Sequence, residues 1–163
     1  MKILTRAFKS VHRGVPAGFT LLELVVVLVI AGALVAIATP ASITWMRERG
    51  THDAADQLAY DLQRAKLLAI QRNTNCSVTI DLPANQYTLS ITNEIVDLGT
   101  YAGNVMFSNN PDASAAVITF TPQGICQAFG AVYLTNQQGY RYRIRATAAG
   151  AVSVHLFSNG QWV

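Results

Sequence analysis

Glu23 is the side chain most at odds with its surroundings. It is the only ionisable residue between Phe19 and Met46, in a stretch whose centre reads Leu24-Val25-Val26-Val27-Leu28-Val29-Ile30-Ala31. It falls near the membrane edge of that stretch, where a carboxylate is costly, by about 2.5–3.5 kcal/mol if near the centre, and usually finds a partner. Directly before it stands Gly18-Phe19-Thr20-Leu21-Leu22, preceded by a segment that holds Lys2, Arg6, Lys9 and Arg13 and no acid. Cutting after Gly18 would remove those charges, keep the apolar helix and create a positive amine on Phe19, four residues from Glu23. Within one chain the two can meet over the first helical turn, where a carboxylate also favours the helix N-terminus. Between chains, Glu23 of one copy can neutralise the amine of its neighbour and so set an axial stagger.

Other chemistry-bearing residues form weaker patterns. Arg141, Arg143 and Arg145 alternate with Tyr140, Tyr142 and Ile144, so on a strand the three arginines share one side. Such a row can hold phosphates, with nearby aromatics stacking on bases. It can equally be a solvated outer face whose charges discourage edge pairing, and this plainer reading is favoured. Cys76 and Cys126 both follow the apolar run. A disulfide between them is permitted if that part of the chain is exported, and two packed thiols are the alternative. Neither cysteine has the ligand spacing of a metal site. His12, His52 and His155 lie outside any nucleophile or metal motif, and Asp81, Asp97 and Asp112 read as turn residues. No catalytic constellation emerges, and none that needs a metal or cofactor.

The elements that must position these residues follow from hydropathy. The chain has 163 residues, 51% hydrophobic and 13% charged, with a net charge of +3. Beyond residue 18 there are eight basic and nine acidic residues, so the positive charge belongs to the leading peptide and does not argue for a basic domain. A helix of about 20 apolar residues spans a bilayer. The run from Leu24 to Met46 is hydrophobic on every face in its core, and the rest of the chain is too small to wrap it. The basic residues before it place residues 1–18 in the cytoplasm and the C-terminal part across the membrane. An ordinary secretory signal cut after Ala36-Ile37-Ala38 is the competing reading; Glu23 within the apolar run and Pro40 just past that cut argue against it.

After Pro40 the pattern changes. Ala54, Ala55, Leu58, Leu62, Ala65 and Ala69 recur at helical spacing, with Asp56, Asp61, Arg64, Lys66 and Arg72 elsewhere on the wheel. This predicts an amphipathic helix ending near Asn73-Thr74-Asn75. One helix over residues 19–72 would be ~80 Å long. Strands are predicted at 76–82, 87–91, 117–121, 131–135, 140–147 and 151–157, separated by Pro, Gly and Asn turns. The Asn- and Gly-rich stretch 94–114 gives no clear pattern. A sheet with one apolar face needs a cover, and the helical stripe supplies one.

Gly18-Phe19-Thr20-Leu21-Leu22-Glu23, with Pro40 further on, resembles the type III signal of type IV prepilins and type II secretion pseudopilins. That resemblance implies cleavage between Gly18 and Phe19 by a prepilin peptidase, N-methylation of Phe19, neighbour pairing by Glu23, and a bent or locally melted helix at Pro40, with a plain helix stop as the alternative. Ala54-Ala55-Asp56-Gln57-Leu58-Ala59, Leu62-Gln63-Arg64-Ala65, strand 76–82 and Phe120-Thr121-Pro122-Gln123-Gly124 are similar to the GspH/FimT family of minor pseudopilins and minor pilins. Some FimT-like pilins bind DNA through a Gly-Arg-x-Arg motif. The best-aligned stretch here, Gly150-Ala151-Val152-Ser153, lacks both arginines.

The expectation is therefore an α+β chain: a cleaved leader over 1–18, a transmembrane and assembly helix over 19–46, an amphipathic helix over 47–75 and a periplasmic antiparallel β domain over 76–163. Its expected role is assembly, near the tip of a pseudopilus or pilus, without catalysis. The partners implied are other pilin or pseudopilin subunits, the prepilin peptidase, the inner-membrane assembly platform and membrane lipid. A DNA-binding minor pilin and a shaft-forming major pilin are the alternatives, and nucleic acid is disfavoured.

Overall fold

A computed structural model describes residues 19–108 and 116–163, leaving aside the side chains of residues 37–44. The leader, with Gly18, and Asp112 lie outside the described residues. The chain divides between Thr39 and Pro40 into two units, and the long helix α1, Leu21–Arg72, contributes to both.

In the first unit, all side chains of α1 from Leu21 to Ala36 are exposed. Thr20 caps the helix, its hydroxyl accepting from the Glu23 backbone N–H at 3.2 Å. That contact is one half of a capping box, Thr-x-x-Glu, which satisfies a backbone donor left free at a helix start.

The second unit is a helix packed on strands. After Arg72 the chain stops helical pairing because Asn73 takes a left-handed conformation, φ 49°. The Asn73 N–H donates to the Ile70 carbonyl and the Thr74 N–H to that of Ala69. This is a Schellman motif, for which Asn is the usual substitute when Gly is absent. Ten strands follow: β1 Cys76–Asp81, β2 Gln86–Leu89, β3 Glu94–Asp97, β4 Met106–Phe107, β5 Val117–Phe120, β6 Cys126–Ala128, β7 Gly130–Thr135, β8 Arg141–Ala146, β9 Val152–Ser158 and β10 Gln161–Trp162. They form two antiparallel sheets, ordered β3-β2-β1-β5-β6 and β10-β9-β8-β7-β4.

The expected α+β class holds, with two sheets where one β domain was foreseen. The predicted strands appear with their ends shifted by one or two residues. Four additional short strands, β3, β4, β6 and β10, join them. Asp81 and Asp97 act in turns: Asp81 Oδ1 accepts from the Ala84 N–H at 3.0 Å, and Asp97 Oδ1 from the Gly99 N–H at 2.7 Å. Asn85, also left-handed, holds the segment before β4, accepting from the Phe107 N–H and donating to the Val105 carbonyl.

The helical stripe read from the sequence is the core-facing one. Ala54, Ala55, Leu58, Leu62, Ala65 and Ala69 are fully buried and share one cluster with Val78, Tyr87, Leu89, Ile118, Phe120, Leu134 and Ile144. Alanines at four of the six positions let the helix backbone lie close to the strands, while Leu58 and Leu62 fill the gaps. Each buried leucine contributes about 1.5–3 kcal/mol by its removal from water.

Candidate functional site

The N-terminal end of α1 is where the sequence concentrates its unusual chemistry. Phe19 is 85% exposed, and Leu21, Leu22, Leu28, Val29, Ile30, Leu34 and Val35 are each more than half exposed. Glu23 sits in the first turn, three residues past the cap, where its charge complements the positive helix end. Among the described residues it has no ion-pair partner within the chain. Pro40 falls inside α1 rather than at its end, against a plain helix stop. No helix among the described residues is long and apolar enough to cross a membrane. The side chains described in the apolar stretch end at Ala36, short of the roughly 20 residues that a span needs.

In the second unit, polar contacts tie α1 to the strands and to the loops between them. Asp61 is one of the charged residues that the helical wheel placed off the apolar stripe, and the structure corrects this: Asp61 is 1% exposed. Its Oδ2 accepts from the Tyr87 hydroxyl at 2.6 Å and from Gln57 Nε2 at 3.1 Å. Its Oδ1 is buried without a hydrogen bond, 3.7 Å from Arg64. Arg64 in turn reaches Glu94 on β3 at 2.7 Å, and that hydrogen bond raises the Arg64 pKa. Burial, reinforced by the bond to Asp61, holds the Tyr87 phenol protonated far above its ordinary range. In the loop after β7, Asn136 Nδ2 donates to the buried Thr51 hydroxyl at 2.7 Å. Gly50, one residue earlier, packs so tightly on the Ala102 backbone that any Cβ would collide with its carbonyl.

The two cysteines are buried and free. Cys76 on β1 is opposite Phe120 on β5, and Phe120 is opposite Cys126 on β6. The cysteines are thus two strand spacings apart, about 9.5 Å, beyond the ~7 Å limit for a disulfide. The bridge that the sequence permits is not made. Burial raises the Cys126 thiol pKa, and its S–H donates to the Ala128 carbonyl.

The arginine row lies as alternation predicts, with Tyr142, Ile144 and Ala146 buried and Arg141 and Arg145 exposed. The aromatic partners come from other strands: Arg141 lies 4.4 Å over the Phe157 ring and Arg143 4.9 Å over Trp162. On the opposite face of β8, Tyr142 meets the exposed His52 of α1 edge to face at 5.8 Å, while His52 Nδ1 is 3.1 Å from Asp56. No group of three or more potential metal ligands occurs among the described residues.

The model of the family described as type II transport protein GspH matches residues 54–150, more than half of the chain. The chain belongs to the GspH family. The match begins at Ala54, the first buried alanine of the helical stripe, and ends at Gly150, so it covers most of the packed second unit. A second model, the prokaryotic N-terminal methylation motif, matches residues 16–39. Its end coincides with the division between the two units, so each match falls in a part that differs physically from the other. Among solved structures, this GspH-family chain is similar to the minor pseudopilin EpsH from the Type 2 Secretion System of Vibrio cholerae. The two are 13% identical with a TM-score of 0.48, and the similarity covers 68% of this chain and 98% of that one. No curated protein matches by sequence.

Proposed function

We propose that the chain is a minor pseudopilin, inserted through its N-terminal helix into the pseudopilus of a type II secretion system and standing near its tip. The observation that carries this reading is the bare apolar helix: from Leu21 to Ala36 every side chain is exposed, and all but Glu23 and Gly32 are apolar. In water such a surface is unstable, at about 25 cal/mol per Å². It is covered in lipid before assembly, with residues 19–46 spanning the inner membrane and residues 47–163 in the periplasm. It is covered by the helices of neighbouring subunits afterwards. The role is structural, with no covalent chemistry performed by the chain.

On this reading a prepilin peptidase cuts between Gly18 and Phe19, Phe19 is N-methylated, and the chain meets the inner-membrane assembly platform. Glu23 then pairs with the Phe19 amine of a neighbour. Its first-turn position and lack of a partner among the described residues support that role. Pro40 supplies a helix-weakening point at the boundary between the units, because its ring removes one helical hydrogen bond.

Mass spectrometry of the mature protein from membranes tests the first part: a methylated N-terminal Phe19 is expected, and a start at Thr39 would overturn the proposal. Glu23→Ala tests the second. Undiminished incorporation of that variant into filaments would refute pairing through the carboxylate. Copy number in purified filaments separates a tip subunit from a shaft protein.

A further inference from the structure

The outer face of the β10-β9-β8-β7-β4 sheet carries the strongest concentration of charge outside the helix. Arg141, Arg143 and Arg145 stand there on alternate positions of β8. Among the described residues, no carboxylate pairs with any of them. Among the described residues the three guanidinium groups make no hydrogen bond; Arg143 Nε is buried, so that side chain can offer a partner only its other N–H groups. The rings of Phe157 and Trp162 lie beneath Arg141 and Arg143. A guanidinium resting over a ring still has edge N–H groups, in the fork that matches a carboxylate. Alternate residues on a strand repeat every ~6.7 Å, so the row spans about 13 Å. Alternate side chains of any other extended chain repeat at the same pitch.

We propose that this face docks an extended acidic polypeptide segment, with carboxylates on alternate residues pairing with Arg141, Arg143 and Arg145. Charge selects the partner: the face offers three cations and, among the described residues, no anion. Polypeptide rather than nucleic acid follows from these cation–ring contacts. The ring faces that would receive bases already hold guanidinium groups. Three cations are also few for a polyanion, since duplex binders make on the order of 6–10 phosphate contacts. Residues 40–163 contain eight basic and eight acidic residues, so the domain generates no broad positive field to draw a polyanion in. The inference does not depend on filament entry, because the face belongs to the packed unit and not to the bare helix.

The test uses the full chain in detergent micelles and a fluorescent peptide of alternating Glu and Ser, followed by anisotropy. Binding is expected to weaken as salt rises. It is expected to weaken about tenfold or more in Arg141→Ala/Arg143→Ala/Arg145→Ala. The corresponding triple Lys variant keeps the charge but loses the fork, and is expected to bind several-fold more weakly than the unsubstituted protein. Should the triple Ala variant fail to fold, Arg145→Ala alone, which lacks a ring partner, is expected to weaken binding about threefold. Absence of peptide binding, or binding indifferent to these changes, overturns the proposal. So does tighter binding to a DNA duplex of equal charge, to anionic lipid vesicles, or to a second copy of the chain through the same arginines.

Discussion

Residues 21–36 and 54–69 belong to the same helix and are both rich in apolar side chains, yet they meet opposite fates. In the first stretch all positions are exposed; in the second, Ala54, Ala55, Leu58, Leu62, Ala65 and Ala69 are wholly buried. The difference lies in how the apolar side chains are distributed around the helix. The second stretch carries one narrow stripe of small and medium side chains that a sheet can cover. The first is apolar around its whole circumference, and no single sheet face can cover it. A helix of that kind has to find lipid or several other helices, which explains how one chain can combine a folded domain with an unfinished surface.

The comparison can be broken or sharpened by substitutions that act on one region alone. Leu62→Ala empties a fully buried position and is expected to destabilise the domain by about 2–5 kcal/mol, read as a lower denaturation midpoint. Ile30→Asp is expected to leave that midpoint unchanged. On the proposed membrane placement it adds about 2.5–3.5 kcal/mol to insertion, read as loss from the membrane fraction. If Ile30→Asp lowered the domain's midpoint as Leu62→Ala does, the two stretches would not be independent.

Tyr87→Phe removes the shortest hydrogen bond to Asp61 and leaves a buried carboxylate poorer by one donor. The expected loss is about 1–3 kcal/mol, again by denaturant titration. The same tyrosine gives the domain a pH dependence. Its folded pKa is raised by burial and by the bond to Asp61, so its contribution is fully present below the unfolded value of about 10. That contribution is lost as pH rises above this value towards the folded one. Tyr101 and Tyr142 are raised in the same direction, chiefly by burial. Alkaline unfolding followed by tyrosinate absorbance is expected to be less steep in Tyr87→Phe. The smallest effect is expected from Thr20→Ala, at about 0.5–2 kcal/mol of local helix stability. Amide exchange at residues 21–24 would show it without any change in the domain.

Much of this architecture was legible in the residues. The stripe from Ala54 to Ala69 has helical period and one apolar side, and it is the side that packs. The alternation in 76–82 and 140–147 placed Val78, Ile80, Tyr142 and Ile144 inside. Gly18-Phe19-Thr20-Leu21-Leu22-Glu23 marked the N-terminal signal. Thr20-x-x-Glu23 also has the spacing of a capping box, of which the structure shows the Thr20 half. The short strands were harder: Glu94-Ile95-Val96-Asp97 shows no alternation because β3 is an exposed edge, and β4 and β10 have two residues each.

The sequence by itself determined where the chain changes character, because hydropathy and periodicity are local and survive without knowledge of neighbours. The tertiary structure decided everything that requires two distant segments to meet. Asp61 looks like a surface charge until Tyr87 lies across from it. Gly50 looks like a weak point in a helix until the Ala102 backbone needs its missing side chain. Cys76 and Cys126 look like a candidate pair until β5 runs between them. In each case the deciding quantity is a distance between strands or across a helix–sheet contact, and no spacing along the chain encodes it.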